Sequence, residues 1–182
     1  MRKFLTSLTV LFMVIMLSSC GVTKFVGYYA SAGDEDQGDL EGQIFRSEDT
    51  SYQIGTLPSG WTRHNVEGGD LAYKNTGFDA TMTINSTCNE KKKNYSLKAL
   101  SESLLIGIKD KEAIERTEIA VSGQPALRTI YTGSLNEVPI KIATVVFRKD
   151  FCIFDFTYAS SPQDFDKGIG DFDNFLSQFK AL

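Results

Sequence analysis

The chain of 182 residues contains a single histidine. That scarcity removes most histidine-based metal centres and Ser-His-Asp triads from consideration. Cysteine is sparse too, and three residues cannot build a dense disulfide scaffold. Basic residues are outnumbered 19 to 23, for a net charge of −4, which argues against non-specific nucleic-acid binding. There is no Walker motif, dinucleotide fingerprint or HExxH pattern. Ser59 lies in a Pro-Ser-Gly turn and lacks the G-x-S-x-G elbow of a hydrolase. What is present, 42% hydrophobic and 12% aromatic residues, suits one globular domain and is too little for two.

The N-terminus reads as an export signal covering residues 1–19. Arg2 and Lys3 supply the positive start, and Leu8 to Leu17 is an apolar run broken only by Thr9. That run is about half the length of a membrane span. Leu17-Ser18-Ser19-Cys20 then resembles the bacterial lipobox: a branched apolar residue, two small residues and a cysteine. The resemblance implies that Cys20 carries a covalent lipid and becomes the first residue of the mature chain. Several acyl chains at ~0.8 kcal/mol per buried CH₂ give a durable anchor in a lipid bilayer. Gly21, in place of aspartate after the cysteine, resembles the sorting signal for the outer membrane. The expected location is therefore the bacterial cell envelope, on the outer membrane facing the periplasm.

Residues 20–42 are expected to form a flexible tether, with Asp34-Glu35-Asp36-Gln37-Gly38-Asp39 as its acidic part. About 20 such residues span roughly 25 Å on average. Asp34 and Asp36 have the spacing of the first and third ligands of a calcium loop, but Gly38 falls one place early and position twelve is Phe45. No metal site is expected there.

From residue 43 to 182 the pattern is that of one α+β domain. Short alternating segments predict strands at 44–46, 52–55, 61–66, 71–74 and 80–87. In the last of these Ala80, Met82 and Ile84 share one face. Leu97, Leu100, Leu104 and Ile108 form the apolar stripe of a helix over 97–108 with Ser96 as its N-cap. Strands are predicted at 113–121, 126–135, 139–148 and 151–159. They are separated by turns so short that the neighbours must be antiparallel. Ser161-Pro162-Gln163-Asp164 opens a final helix, with Ser161 as N-cap, Pro162 at the first position and an acid two places on. Its stripe is Phe165, Ile169, Phe172, Leu176 and Phe179, supported by Phe175. The expected architecture is an antiparallel β-sheet of about six to seven strands flanked by helices.

This order of elements resembles the PsbP-like family, named for an extrinsic photosystem II protein. The residues that carry the resemblance are Leu57-Pro58-Ser59-Gly60-Trp61, the turn Ser122-Gly123-Gln124-Pro125-Ala126, and the terminal phenylalanine helix. The resemblance covers about Gln43 to Leu182. It implies a sandwich fold and a non-enzymatic binding or assembly factor. No metal-binding or partner-binding residue of the photosystem protein matches a position here.

With Cys20 lipidated, Cys88 and Cys152 remain. An oxidising envelope makes them a candidate disulfide, and alternation puts Cys88 on the face of Met82 and Ile84, and Cys152 on that of Phe154, Phe156 and Tyr158. Two separate buried thiols are the other possibility. The aromatics Trp61, Tyr73, Tyr131 and Tyr158 are candidates to line a ligand pocket between sheet and helix. His64 stands alone, Lys91-Lys92-Lys93 suits a solvated loop, and the pairs Asp110 with Glu112 and Asp171 with Asp173 suit the surface. The expected function is a membrane-anchored lipoprotein that binds a protein or envelope component, with no cofactor and no catalytic residues. The alternatives are a small-ligand carrier and an envelope hydrolase of unfamiliar type.

Overall fold

The three two-residue turns of the C-terminal half set its architecture. A computed structural model describes residues 38–64, 69–89 and 94–182. Strands β7 (Lys109–Val121), β8 (Gln124–Leu135), β9 (Val138–Lys149) and β10 (Cys152–Ser160) run as a meander. The turns between them are Ser122-Gly123, Asn136-Glu137 and Asp150-Phe151. Both residues of the first two turns have positive φ, from 50° to 74°, the twist that matches paired strands. The third turn lies one residue later than Lys149-Asp150, because Lys149 pairs with Cys152.

Earlier in the chain come β1 (Asp39–Glu41), β2 (Ile44–Arg46), β3 (Ser51–Gln53), β4 (Trp61–His64), β5 (Leu71–Asn75) and β6 (Ala80–Cys88). Helix α1 (Leu97–Ser103) separates β6 from the meander, and α2 (Phe165–Ser177) and β11 (Lys180–Ala181) follow it. The large sheet has the order β4-β5-β6-β10-β9-β8-β7, all antiparallel. Its seven strands match the expected number. A second, four-stranded sheet, β1-β2-β3-β11, was not anticipated.

Each layer follows from side-chain chemistry. Strand β10 is buried at every position because it lies mid-sheet with both faces covered. On one face Phe147, Phe154, Phe156 and Tyr158 meet Phe165, Phe172, Phe175 and Phe179 from α2 and the residues after it. The small sheet adds Phe45 and Tyr52 to the same core. On the other face α1 and the turns after it place Leu100 against Val146 and Ile153, and Leu105 and Ile108 beside Tyr131, Ile142 and Ala159.

Several boundaries differ from expectation. Helix α1 ends at Ser103 rather than residue 108, and the chain then turns through Gly107 at φ 88°. Leu105 and Ile108 stay buried, so the apolar pattern persists after the helix stops. Strand β7 begins at Lys109, ahead of the expected 113, and carries two register shifts against β8. Strand β1 occupies residues assigned to the tether, so the ordered domain reaches back at least to Asp39. Ser96 caps α1 as expected, accepting from the Ala99 N–H at 3.1 Å. Before α2, Ser161 Oγ accepts from the Asp164 N–H at 3.2 Å and donates to its Oδ2 at 3.0 Å. This reciprocal pair closes a turn, and the regular helix starts after it at Phe165, with Asp164 as the N-cap residue. Residues 1–37, which include the signal and Cys20, lie outside the described residues.

Two glycines of α2 separate packing from propensity. A Cβ at Gly168 would lie 2.7 Å from Tyr158 Oη and 2.8 Å from Phe78 Cζ, whereas one at Gly170 would meet nothing within 4 Å. G168A should lose about 1–2 kcal/mol, overpacking outweighing helix propensity. G170A should gain about 0.5–1 kcal/mol. Urea unfolding of both variants checks the opposite signs. At the β8–β9 turn, Glu137 holds φ 70° with an exposed side chain. E137G should raise stability by about 0.5–1 kcal/mol, seen as a higher melting temperature.

Candidate functional site

The four aromatics proposed to line a pocket do not share one. Tyr158 pairs with Ala143, which pairs with Ile130, so these three point to the α2 side. Tyr131 pairs with Ile142, and Ile142 with Ala159, on the opposite face. There Tyr131 Oη sits 3.0 Å from Ser101 Oγ of α1. The prediction fails on register: two tyrosines on different strands share a face only if the pairing places them in phase. Of the other three, Tyr73 and Tyr158 belong to the core and Trp61 packs against it, partly buried. Tyr158 packs 5.1 Å from Phe165, 5.9 Å from Phe172 and 6.4 Å from Trp61 between ring centroids. Its hydroxyl donates to the Phe165 carbonyl at 2.9 Å, and burial pushes its pKa up to about 12. Tyr73 meets Phe175 edge-on at 5.9 Å. Trp61 Nε1 donates to Asp171 Oδ2 at 2.9 Å, tying edge strand β4 to α2.

The remaining nominated residues have structural partners or lie in solvent. His64 is exposed on β4 with Thr62 Oγ1 3.5 Å from its ring. Ser59 is exposed in its turn. Asp173 accepts from Arg128, which also reaches Glu115 at 3.1 Å. Asp110 and Glu112 are exposed on β7, on the surface as expected. Lys91 to Lys93 lie outside the described residues. Among the described residues no group of three or more His, Cys, Asp or Glu side chains could hold a metal ion. None of their helices is long and apolar enough to cross a membrane.

Two clusters carry polar chemistry at the end of the large sheet where β6 finishes. In the first, Asp70 precedes β5 and its Oδ2 accepts from Tyr52 Oη at 2.9 Å and from Ser86 Oγ at 2.5 Å. The carboxyl thus joins β3 of the small sheet to β6 of the large one. Burial raises Asp70 from 3.8 to about 6, against the lowering effect of the Ser86 and Tyr52 hydrogen bonds. Burial also holds the Tyr52 phenol well above its ordinary value, with the Asp70 charge adding to it. The sequence offered one signal for Asp70, an acid immediately before an apolar strand, which suggests a turn as readily as a site.

In the second cluster Cys88 and Cys152 are bonded, directly opposite each other in the β6·β10 pairing with Cα atoms 4.0 Å apart. Alternation puts Cys88 with Met82 and Ile84 and Cys152 with Phe154, Phe156 and Tyr158, and both lie on that shared face, toward α2. Closing a loop with a sequence separation of 64 contributes about 4 kcal/mol in the chain-entropy model. Lys149 is the β9 partner of Cys152, so Cys88, Cys152 and Lys149 form one row on one face. Cys152 and Lys149 line an open cleft of about 420 Å³ with Arg46, Asp49, Asp150, Phe151 and Leu182. Phe151 and Leu182 are 52% and 60% exposed there. Lys149 Nζ donates to the Ala181 carbonyl at 2.8 Å, which joins the cleft to β11. Lys149 was missed because only the pairing register makes it a neighbour of the disulfide.

No protein-family model matches the sequence, and no curated protein does. Solved structures do resemble it. The cyanobacterial PsbP (CyanoP) of Synechocystis superposes with a TM-score of 0.57 at 16% identity, over 91% of this chain and 99% of that one. LpqN, described as involved in cell envelope biogenesis of Mycobacterium tuberculosis, gives 0.57 at 9% identity, over 85% and 94%. A protein from Bacteroides thetaiotaomicron gives 0.52 at 9% identity, over 72% of this chain and 45% of that one. The chain has a PsbP-like α+β fold. At these identities the likeness extends to the fold and no further.

The Asp70 cluster has a measurable sign. A carboxyl near 6 in the fold and near 3.8 unfolded binds more protons when folded, so its contribution to stability falls as pH rises through that window. The loss amounts to at most about 3 kcal/mol by pH 7. D70N keeps an oxygen for both hydroxyls and cannot ionise. Its urea midpoint should rise relative to wild type between pH 4.5 and 7.5, while parallel profiles would contradict the assignment.

Proposed function

We propose that the chain is a bacterial envelope lipoprotein, acylated at Cys20, whose PsbP-like domain binds or helps assemble a protein or envelope component without catalysing a reaction. One observation carries the reading. Of three cysteines, Cys88 and Cys152 are bonded to each other, which leaves Cys20 of Leu17-Ser18-Ser19-Cys20 as the thiol available for lipid. A disulfide fits the oxidising compartment to which a lipobox sends a chain. LpqN, of the same fold, serves cell envelope biogenesis in its own organism, which supports an envelope setting. Gly21 favours the outer membrane, facing the periplasm.

Binding rather than catalysis is supported by how the aromatics are used. Trp61, Tyr73 and Tyr158 spend their faces on the core, and among the described residues the hydroxyl beside the His64 ring is Thr62 Oγ1, at 3.5 Å. The partner is then met on the surface, by a domain held near the bilayer.

Expression of the full chain in a bacterial host with labelled palmitate tests the anchor. Label should enter the wild type and be absent from C20S, which should leave the membrane fraction after carbonate extraction. Label retained by C20S would overturn the lipidation. In-cell crosslinking of the acylated protein should recover one partner repeatedly. Turnover of an envelope substrate by the purified protein, with no partner recovered, would overturn the non-enzymatic reading.

A further inference from the structure

The Cys88–Cys152 bond has two unlike sides. Cys152 is 7% exposed and lies between two paired strands, β6 and β9. Among the described residues Cys88 is flanked by β10 alone. Strand β5 pairs with β6 from Asn75–Ala80 only as far as Leu71–Ile84, four residues short of the cysteine. Cys88 is also half-buried rather than buried. Its Sγ lies 3.7 Å from the Asp49 backbone carbonyl, in the β2–β3 turn that forms one wall of the cleft. Among the described residues a thiolate therefore has more access to Cys88, half-buried and paired on one side, than to Cys152, buried with a paired strand on each side.

The leaving side is equipped as well. Departure of Cys152 as a thiolate places a negative charge beside Lys149, its direct cross-strand partner on the same face. A neighbouring ammonium group stabilises a thiolate and makes it a better leaving group. Arg46 adds a second cation to the cleft, while Asp49 and Asp150 put carboxylates on its walls.

We propose that Cys88–Cys152 is a thiol–disulfide exchange site for a dithiol reductant, with Cys88 the sulfur attacked and Lys149 the group that favours departure of Cys152. One thiolate of the reductant forms a mixed disulfide with Cys88 as the Cys88–Cys152 bond breaks and Cys152 takes the electron pair. The second thiolate of the reductant then attacks its own sulfur in that mixed disulfide and releases Cys88. Two electrons pass to the protein, which ends with two thiols once both thiolates are protonated, and the dithiol ends as a disulfide. Lys149 is a positioning residue here, since it acts through the charge of Cys152. The assignment stands on the bond and its neighbours and is independent of lipidation at Cys20.

Dithiothreitol, a small dithiol, tests it on the purified full chain. Reduction should proceed under native conditions at a rate unchanged by urea below the unfolding transition. Exposure to 2-mercaptoethanol, quenched with iodoacetamide, should put the mercaptoethanol adduct on Cys88 and the carbamidomethyl group on Cys152 by peptide mass spectrometry. K149M should slow reduction severalfold, because a thiol that ionises less readily is a poorer leaving group. K149R should restore the rate. A reduction rate that climbs with urea in parallel with global unfolding would overturn the proposal. So would the adduct on Cys152, or equal slowing by K149M and K149R. If K149M loses its near-UV dichroism, the position of the adduct in wild type still decides.

Discussion

The two sheets are joined through the ring of Phe179. It lies 5.1 Å from Tyr52 in the small sheet and 4.9 Å from Phe156 in the large one, with Phe147 and Phe154 within 6 Å. Strands of two or three residues have no independent stability. Those of the small sheet persist because Phe45 and Tyr52 are fully buried against this cluster. Phe179 is delivered there by α2, and the two residues after it form β11 against β3. Helix, small sheet and large sheet therefore share one aromatic core, and Tyr52 extends it to Asp70 through its hydroxyl.

The parts of this fold that could be read from the chain are those written in side chains. Met82 and Ile84, or Phe154 and Phe156, alternate with residues of the other face, and Phe165 to Phe179 repeat at helical spacing. Strands β1 and β11 show no such alternation. Asp39 and Glu41 point to solvent, and the strand exists through its backbone pairing with β2. The overlong reading of α1 has a different origin. Leu105 and Ile108 are buried whether or not the backbone stays helical, so the apolar stripe outlasts the helix. The candidate pocket failed where a single strand carries no information, in the phase between strands. Parity within β6 and within β10 was enough for the two cysteines because those strands are neighbours.

The two faces of the large sheet are held by different chemistry. The α2 face is apolar and rich in aromatic rings. The α1 face carries buried hydroxyls: Ser101 reaches both Tyr131 and Thr144, and Thr83 meets Thr157 across β6 and β10. Hydrogen bonds of this kind contribute modestly to stability and strongly to a unique seating of the helix. Ion pairs repeat the division, Arg128 with Asp173 toward α2 and Arg116 with Glu102 toward α1. The fold itself does not name a function.

In the large sheet, every neighbouring pair of strands but one is also consecutive in the chain. The exception is β6 with β10, which brings together segments separated by α1 and three long strands. Hairpins form from contacts a few residues apart, whereas this seam must close a loop first and bears the larger entropic penalty. The disulfide bridges that seam at its open end. The covalent link therefore sits on the pairing of the large sheet whose closure the unfolded chain resists most. Its presence turns the one distant encounter in the large sheet into a local one.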